Sequence, residues 1–220
     1  MTQTDSVLVT DFDGTITKED FYILAVQRLL TPMDLAPWKD YRSGAITHFE
    51  AIRRIFSRIR APQSVIDEIL RDMQPDPTMA QQVADLKKAG WSVIVASAGC
   101  EWYIQRIFAT LGVNIEVHAN PGYYAEGGPL VMERNPAAPF YCPELGVDKA
   151  GIVLSHVKRG ARVAYCGDGV TDEPAARLVH PRLRFARRDL ADALLAHKQP
   201  FRPFELWSEV AQALLREGDA

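Results

Sequence analysis

Three short runs, each apolar on both alternating faces, end on an acid or a hydroxyl, and that repeated pattern narrows the possible folds more than any other feature of the chain. They are Val7-Leu8-Val9 ahead of Asp11, Trp91-Ser92-Val93-Ile94-Val95-Ala96 ahead of Ser97, and Val163-Ala164-Tyr165-Cys166 ahead of Gly167-Asp168. Leu183-Arg184-Phe185-Ala186 forms a fourth run of the same kind. A strand with one wet face alternates apolar and polar residues. A strand without that alternation is covered on both sides, as in a parallel sheet.

Helical periodicity fills the gaps. Residues 78–89 carry Met79, Val83 and Leu86 on one stripe and stop at Gly90; residues 101–111 carry Tyr103, Ile104, Ile107, Phe108 and Leu111 and stop at Gly112. Residues 149–158 precede Gly160 in the same way, and 204–215 form a last amphipathic segment. Strands alternating with helices predict an α/β fold, a doubly wound Rossmann-like parallel sheet.

The stretch between the first two strands breaks the rhythm. Residues 17–77 contain no good strand, and 19–30, 46–60 and 64–73 each look helical, with Ser64 as an N-cap and Asp67 three residues on. Pro32, Pro37, Pro62, Pro75 and Pro77 punctuate these segments. So long a segment exceeds a simple crossover. It predicts an inserted helical cap at 17–77 on a core built from 1–16 and 78–220. A second irregular stretch holds a strand at 113–117, a hairpin marked by Asn120-Pro121-Gly122 and Gly127-Gly128-Pro129, and a loop with Pro136, Pro139 and Pro143.

Composition excludes several classes. Among 220 residues, 25 Lys and Arg face 28 Asp and Glu, so a net charge of −3 speaks against a strongly basic nucleic-acid binder and leaves only a local patch open. An apolar fraction of 47% is ample for a core and rules out dominant disorder. The three cysteines, Cys100, Cys142 and Cys166, have neither disulfide-framework nor zinc spacing. The start lacks a basic stretch followed by an apolar one, and no apolar run approaches the length of about 20 residues that crosses a membrane. The expectation is a reduced cytoplasmic protein, monomer or homodimer, with neither membrane nor nucleic acid as partner.

In an open parallel sheet, ligands bind beyond the carboxyl ends of the strands. Asp11, Asp13, Ser97 and Asp168 therefore converge if the strands lie side by side. Asp11-Phe12-Asp13-Gly14-Thr15-Ile16-Thr17 sets two carboxylates close together, a repulsion that a hard divalent cation such as Mg²⁺ offsets. Ser97-Ala98-Gly99 offers a hydroxyl and, at a helix start, free N–H groups for a phosphate oxygen. Lys149 opposes the dipole at its helix start unless an anion compensates. Asp168 and Asp172 close the series at another strand end; Asp168 can reach a metal, and Asp172 can orient a ligating water or pair with Lys149. Taken singly, an Asp-Gly turn, an N-cap serine, a solvated lysine and an acidic helix start explain each element. Their shared placement is what joins them.

The order DxDGT, Ser, Lys, GDxxxD resembles the haloacid dehalogenase-like superfamily over roughly residues 7 to 190. The resemblance implies that Asp11 is a nucleophile that becomes an aspartyl-phosphate, and that Asp13 protonates the leaving oxygen and then activates water. It implies Mg²⁺ on Asp11, the Asp13 carbonyl and Asp168, with Ser97 and Lys149 on phosphate oxygens. Gly14, Thr15, Ala98 and Gly99 would shape the phosphate site, and Asp20 would contact the substrate near the scissile bond. An acid at position 13 points within this superfamily to a phosphohydrolase rather than a dehalogenase. The helical insertion resembles the C1-type cap of the phosphoserine phosphatase branch (subfamily IB). That implies a small phosphorylated metabolite as substrate. Within the branch, Asp11 to Thr17, the 19-residue spacing from Lys149 to Asp168, Gly167 to Asp172 and Phe185-Ala186-Arg187 resemble methionine-salvage phosphatases. That resemblance implies 2-hydroxy-3-keto-5-methylthiopentenyl-1-phosphate, with phosphoserine or another small phosphomonoester as the alternative. A phospho-receiver or a phosphate-sensing regulator is the non-enzyme alternative; the order of the acids and the presence of both Asp11 and Asp13 speak against it. Arg53 and Arg54 either reach a substrate carboxylate or lie on a solvated face, His118 and Asn120 stand as candidates for the site entrance, and Cys166 packs as a small apolar group.

Overall fold

The computed structural model describes residues 5–217. Residues 1–4, on which the reading of the chain's start partly rests, and 218–220 lie outside the described residues. In chain order the elements are β1 (Ser6–Thr10), α1 (Phe21–Leu29), α2 (Ala36–Arg42), α3 (His48–Phe56), α4 (Gln63–Asp72), α5 (Met79–Lys88), β2 (Trp91–Cys100), α6 (Glu101–Leu111) and β3 (Glu116–Asn120). There follow β4 (Gly122–Tyr124), β5 (Leu130–Met132), α7 (Lys149–Lys158), β6 (Arg162–Gly167), α8 (Glu173–Ala176), β7 (Arg184–Ala186), α9 (Arg188–Ala196), β8 (Arg202–Pro203) and α10 (Trp207–Glu217).

Six strands form one parallel sheet in the order β3-β2-β1-β6-β7-β8, and β4 and β5 pair as a separate antiparallel hairpin. β1 lies between β2 and β6, with Thr10 level with Val95 and Cys166. Its alternation explains the sequence pattern. Val7 and Val9 join Ile94, Tyr165, Ile152 and Leu190 in one apolar layer, while Leu8 and Phe12 join Val93, Ile104, Phe108 and Trp207 in the other. Both faces are covered, which is why no polar alternation survives in the strand.

Several local expectations need correction. Ser64 is not a cap: α4 starts at Gln63 behind Pro62, and Ser64 lies within its first turn. Proline supplies no N–H and is pre-set for a helix start, so the helix begins one residue earlier than a serine cap would place it. Pro37 does mark a helix start, in the first turn of α2, a helix absent from the expected segments that follows a 3₁₀ turn at Pro32–Leu35. The third strand is 116–120 rather than 113–117, because Val113 is committed to ending α6. Gly112 turns left-handed at φ 68°, and the Val113 N–H returns to the Phe108 carbonyl at 3.0 Å.

The helical segment leaves and rejoins the sheet through one neck. Thr17 and Pro75 form an antiparallel bridge, and the N–H groups of Lys18 and Glu19 donate to the carbonyls of Gln74 and Met73, each at 3.0 Å. Its inner residues Phe21, Phe49, Ile52 and Phe56 belong to the same apolar cluster as Leu8 and Phe12. Among the described residues no helix is long and apolar enough to cross a membrane.

α10 covers the sheet through Trp207, which is 1% exposed and whose indole N–H donates to Thr10 Oγ1 at 3.2 Å. Trp207→Ala is expected to cost about 3–5 kcal/mol of unfolding free energy, the range for emptying a large aromatic from a core. Urea denaturation with an unchanged m-value is the measurement.

Candidate active site

Ten residues separate the first strand from the first helix, and they wind into a tight loop over the sheet. The Asp11 N–H still bonds the Cys166 carbonyl at 2.9 Å, so Asp11 is fixed by the sheet itself. After it the chain folds back: the Ile16 and Thr17 N–H groups return to the Phe12 carbonyl at 2.9 and 3.2 Å, and Gly14 N–H donates to Thr17 Oγ1 at 3.1 Å. Gly14 adopts φ +65°, and a Cβ there would lie 2.1 Å from Asp168 Oδ2. Only glycine lets the loop pass so close to that carboxylate. Arg187 pins the loop from outside, its Nε donating to the Gly14 carbonyl at 2.6 Å and Nη2 to the Thr17 carbonyl at 2.8 Å.

The acids named from the sequence meet at the carboxyl edge of the sheet. Lys149, the first residue of α7 and 4% exposed, donates to Asp11 Oδ1 at 2.7 Å and to Asp172 Oδ1 at 2.6 Å. Asp172 is saturated: Oδ1 also accepts the Tyr165 hydroxyl at 2.6 Å, and Oδ2 accepts the N–H groups of Asp168 and Gly169 at 3.2 and 3.0 Å. A Cβ on Gly167 would lie 2.6 Å from Asp172 Oδ2, so a glycine must precede this turn. Among the described residues Asp168 itself has looser neighbours, Thr15 Oγ1 at 3.5 Å and Arg188 Nη1 at 3.5 Å. Arg188, at φ 49°, also donates to the Lys18 carbonyl at 2.6 Å.

Charge here does not balance. Three carboxylates, on Asp11, Asp168 and Asp172, each place an oxygen within 4.8 Å of the others. Burial, then Asp172, pushes Asp11 well above the usual carboxylate range in spite of Lys149. Burial and Asp172 likewise push Asp168 up to about 7. Burial alone would weaken the Lys149 ammonium, but Asp11 and Asp172 outweigh it and hold its pKa above the ordinary value. A cluster of hard oxygens with surplus negative charge fits a small divalent cation. Asp11 and Asp168 have oxygens to give, whereas the Asp172 oxygens are already taken.

Asp13 stands beside this cluster, outside the group of three. Its Oδ2 accepts the Tyr103 hydroxyl at 2.6 Å and its Oδ1 accepts the Phe21 N–H at 3.1 Å. Burial, then the nearby Asp20, pushes its pKa up to about 8. Asp20 caps α1 by accepting the N–H groups of Tyr22 and Ile23 at 2.5 and 3.3 Å, and burial raises its pKa also.

Ser97 corrects an expectation. It does not cap a helix: β2 runs on to Cys100, and its register with β3 jumps between Ala96 and Cys100, so Ser97-Ala98-Gly99 bulges from the sheet edge. The Ser97 hydroxyl accepts the Gly99 N–H at 3.0 Å. Ser97, Ala98 and Gly99 nonetheless line the same cleft of about 420 Å³ as Asp11, Asp13, Asp20, Lys149 and Asp168.

The opposite wall of that cleft comes from the helical segment: Tyr22, Ile23, Trp38, His48, Ile52 and Phe56. The Trp38 indole N–H donates to the Tyr22 hydroxyl. His48 Nδ1 is buried and finds no hydrogen-bond partner among the described residues; burial, then Lys149, lowers its pKa to about 4, so the ring is neutral. Arg53 and Arg54 do not line the cleft, because both turn to Glu50, at 2.8 and 2.7 Å. His118 is inside β3, pairs with Glu116 at 2.7 Å and packs edge-on to Phe140. Asn120 is buried and ties the Ala98 and Leu145 carbonyls together at 2.8 and 2.9 Å. Neither lines the cleft. Cys166 is fully buried and donates to Thr10 Oγ1 at 3.1 Å.

Sequence reading missed Tyr103, Tyr165, Arg187 and the aromatic wall. The signal for the tyrosines was a phenol at positions that helix and strand periodicity assign to the core, where a buried hydroxyl must find a partner.

Comparison with known proteins places these motifs. A family profile described as haloacid dehalogenase-like hydrolase matches residues 8–177. A Brevibacillus brevis protein named 2-hydroxy-3-keto-5-methylthiopentenyl-1-phosphate phosphatase is 25% identical over 216 residues, covering 94% of each chain. A Bacillus pumilus protein of the same name is 27% identical over 201 residues, covering 88% of this chain and 85% of its own. A solved structure titled as a phospho-aspartyl intermediate analogue of phosphoserine phosphatase aligns at TM-score 0.65 and 17% identity, covering 96% of this chain and 99% of the other; that likeness concerns the fold.

The charge imbalance gives a pH signature. Without a divalent ion the folded chain holds protons on Asp13 and Asp168 up to about 8 and about 7, whereas the ordinary value is 3.8. Unfolding between these values releases protons, so the melting temperature of the metal-free protein is expected to fall as pH rises from 4 to 8. A divalent cation held by these carboxylates would displace those protons, so at one fixed Mg²⁺ concentration its stabilising shift should be larger at pH 8 than at pH 5, reaching about 2.7 kcal/mol where that concentration is a hundred times the Kd. Calorimetry with EDTA and with Mg²⁺ at both pH values checks the sign.

Proposed function

The chain belongs to the haloacid dehalogenase-like hydrolase family, and on that premise we propose that it is a Mg²⁺-dependent phosphomonoesterase of a small metabolite, working through a phosphorylated Asp11. The observation that carries the reading is the Asp11 carboxylate held at the sheet edge with Lys149 at 2.7 Å on one oxygen, opening on a cleft shared with Asp13 and Asp168.

Lys149 orients Asp11 and offsets the repulsion between a carboxylate nucleophile and an anionic ester. Asp11 attacks phosphorus as the bond to the leaving oxygen breaks, and Asp13 gives its proton to that oxygen. Water then attacks the phosphorus of the aspartyl-phosphate, Asp13 takes the proton from that water, and Asp11 is regenerated with release of phosphate. Ser97 and the backbone of Gly14, Thr15, Ala98 and Gly99 hold phosphoryl oxygens, while Asp172 keeps Lys149 charged and in place. Asp11, the Asp13 carbonyl and Asp168 would hold the Mg²⁺, which when bound supplies charge neutralisation for the phosphoryl group.

Residues 17–77 act in this reading as a cap whose wall selects the rest of the substrate. That wall is aromatic and aliphatic with one neutral imidazole, and Arg53 and Arg54 turn away from it to Glu50. Such a surface suits a tail that is uncharged and partly apolar, with a carbonyl or hydroxyl for His48 Nδ1. The substrate named for the curated relatives, a methylthio ketone phosphate, has this character. Phosphoserine would have to bring its ammonium and carboxylate to Asp20 and Arg188, charged groups elsewhere in the cleft, and Arg188 is already engaged by Asp168 and the Lys18 carbonyl. Asp20, by its place at the cleft, would contact the substrate near the scissile bond.

A panel of phosphorylated metabolites with Mg²⁺ tests both levels. Turnover should require the metal and disappear in Asp11→Asn, and Asp13→Asn should lose about 10²- to 10⁴-fold in kcat. The methylthio ketone phosphate should exceed phosphoserine in kcat/KM. Turnover by Asp11→Asn would end the covalent mechanism, and a preference for phosphoserine would end the salvage assignment.

A further inference from the structure

Tyr103 lies in the first turn of α6, 1% exposed, and its hydroxyl reaches into the cleft. The hydroxyl donates to Asp13 Oδ2 at 2.6 Å, while the Phe21 N–H donates to the other oxygen, Oδ1, at 3.1 Å. Two donors from separate elements, α6 and the start of α1, therefore fix the plane of this carboxyl group. It cannot turn about its Cβ–Cγ bond without giving up one of them. The donors are themselves fixed together, since the rings of Phe21 and Tyr103 stack with centroids 4.6 Å apart and planes 14° apart.

The backbone has made room for this contact. A Cβ on Gly99 would lie 1.8 Å from the Tyr103 hydroxyl and 2.8 Å from Asp13 Oδ2. Position 99 thus excludes every side chain for the sake of the phenol–carboxyl pair. A phenylalanine would satisfy the apolar contacts of position 103 equally well, so the buried hydroxyl is accounted for only by Asp13.

We propose that Tyr103 is a positioning residue for proton transfer by Asp13: it holds the carboxyl group aimed at the leaving oxygen and receives the charge that develops on it. The proton passes from Asp13 to the leaving oxygen as its bond to phosphorus breaks. The electron pair of that O–H bond stays on the carboxylate, whose two oxygens already face the Tyr103 O–H and the Phe21 N–H. Nothing else is consumed or produced. The inference rests on the reading of Asp13 as the acid, and the test separates the two.

The readout is the ratio of kcat/KM for a saturated alkyl phosphate, such as glycerol 3-phosphate, to that for p-nitrophenyl phosphate. Departure of an alkoxide needs a proton; nitrophenolate leaves without one. This parameter ends at departure of the leaving group, so later hydrolysis of the aspartyl-phosphate does not enter it, and any loss of folded fraction cancels in the ratio. Tyr103→Phe keeps the ring stack and removes only the donor. Its ratio should fall about 10-fold, the effect of a hydrogen bond worth about 1.4 kcal/mol, with KM for the alkyl phosphate within about two-fold of the parent on the same scale of error. A ratio unchanged in Tyr103→Phe while Asp13→Asn lowers it strongly would overturn the role of Tyr103 alone. A ratio unchanged in Asp13→Asn as well would show that Asp13 is not the acid, and both readings would fall.

Discussion

One buried cation holds the site together. Lys149 sits at a helix start, where the dipole disfavours it, and is almost wholly removed from water. Both costs are met by Asp11 and Asp172, each within 2.7 Å. Removing one partner of such a buried pair typically costs about 3–5 kcal/mol, because it strands a charge in a poorly solvating interior. The four donors to Asp172 come from β6, α7 and the turn after β6, and Lys149 among them ties the end of β6 to Asp11 at the end of β1. Catalytic placement and fold are here one set of interactions.

The remaining negative charge is a design tension that the chain does not resolve by itself. Asp11 and Asp168 are pushed toward the protonated form by burial and by Asp172, in a place where the proposed chemistry needs them ionised. Active sites concentrate such perturbed groups because function, not stability, sets their positions. The loop that carries Asp11 and Asp13 tolerates the strain because Arg187 braces it and Gly14 allows its close approach to Asp168.

The cleft's two walls have different origins and different logic. The sheet edge provides charge, and the helical segment provides aromatic and aliphatic surface anchored in the same apolar cluster as Leu8 and Phe12. In the proposed function that division would let phosphate recognition stay fixed while the segment sets the tail. It also explains why Phe21, the first residue of α1, takes part on both sides: its ring packs in the core and its N–H meets Asp13.

Much of the site was readable because its key residues sit at strand ends, and strand ends are marked by where apolar runs stop. Asp11, Asp168 and the helix starting at Lys149 follow from that rule and from local periodicity alone. Local errors arose where a neighbour outweighed propensity: Val113 closes α6 rather than starting a strand, and Ser97 lies in a bulge rather than at a helix start. What no local rule contains is the distance between groups far apart in sequence. The contact of Tyr103 with Asp13, the turning of Arg53 and Arg54 toward Glu50, and the aromatic wall of Tyr22, Trp38 and His48 depend on how packed helices orient side chains. The sequence by itself determined the order of strands and helices and the acids at their ends, since backbone propensity and burial act over a few residues. Only the tertiary structure decided which donors those acids meet and what surface faces them, because those depend on packing between elements many residues apart.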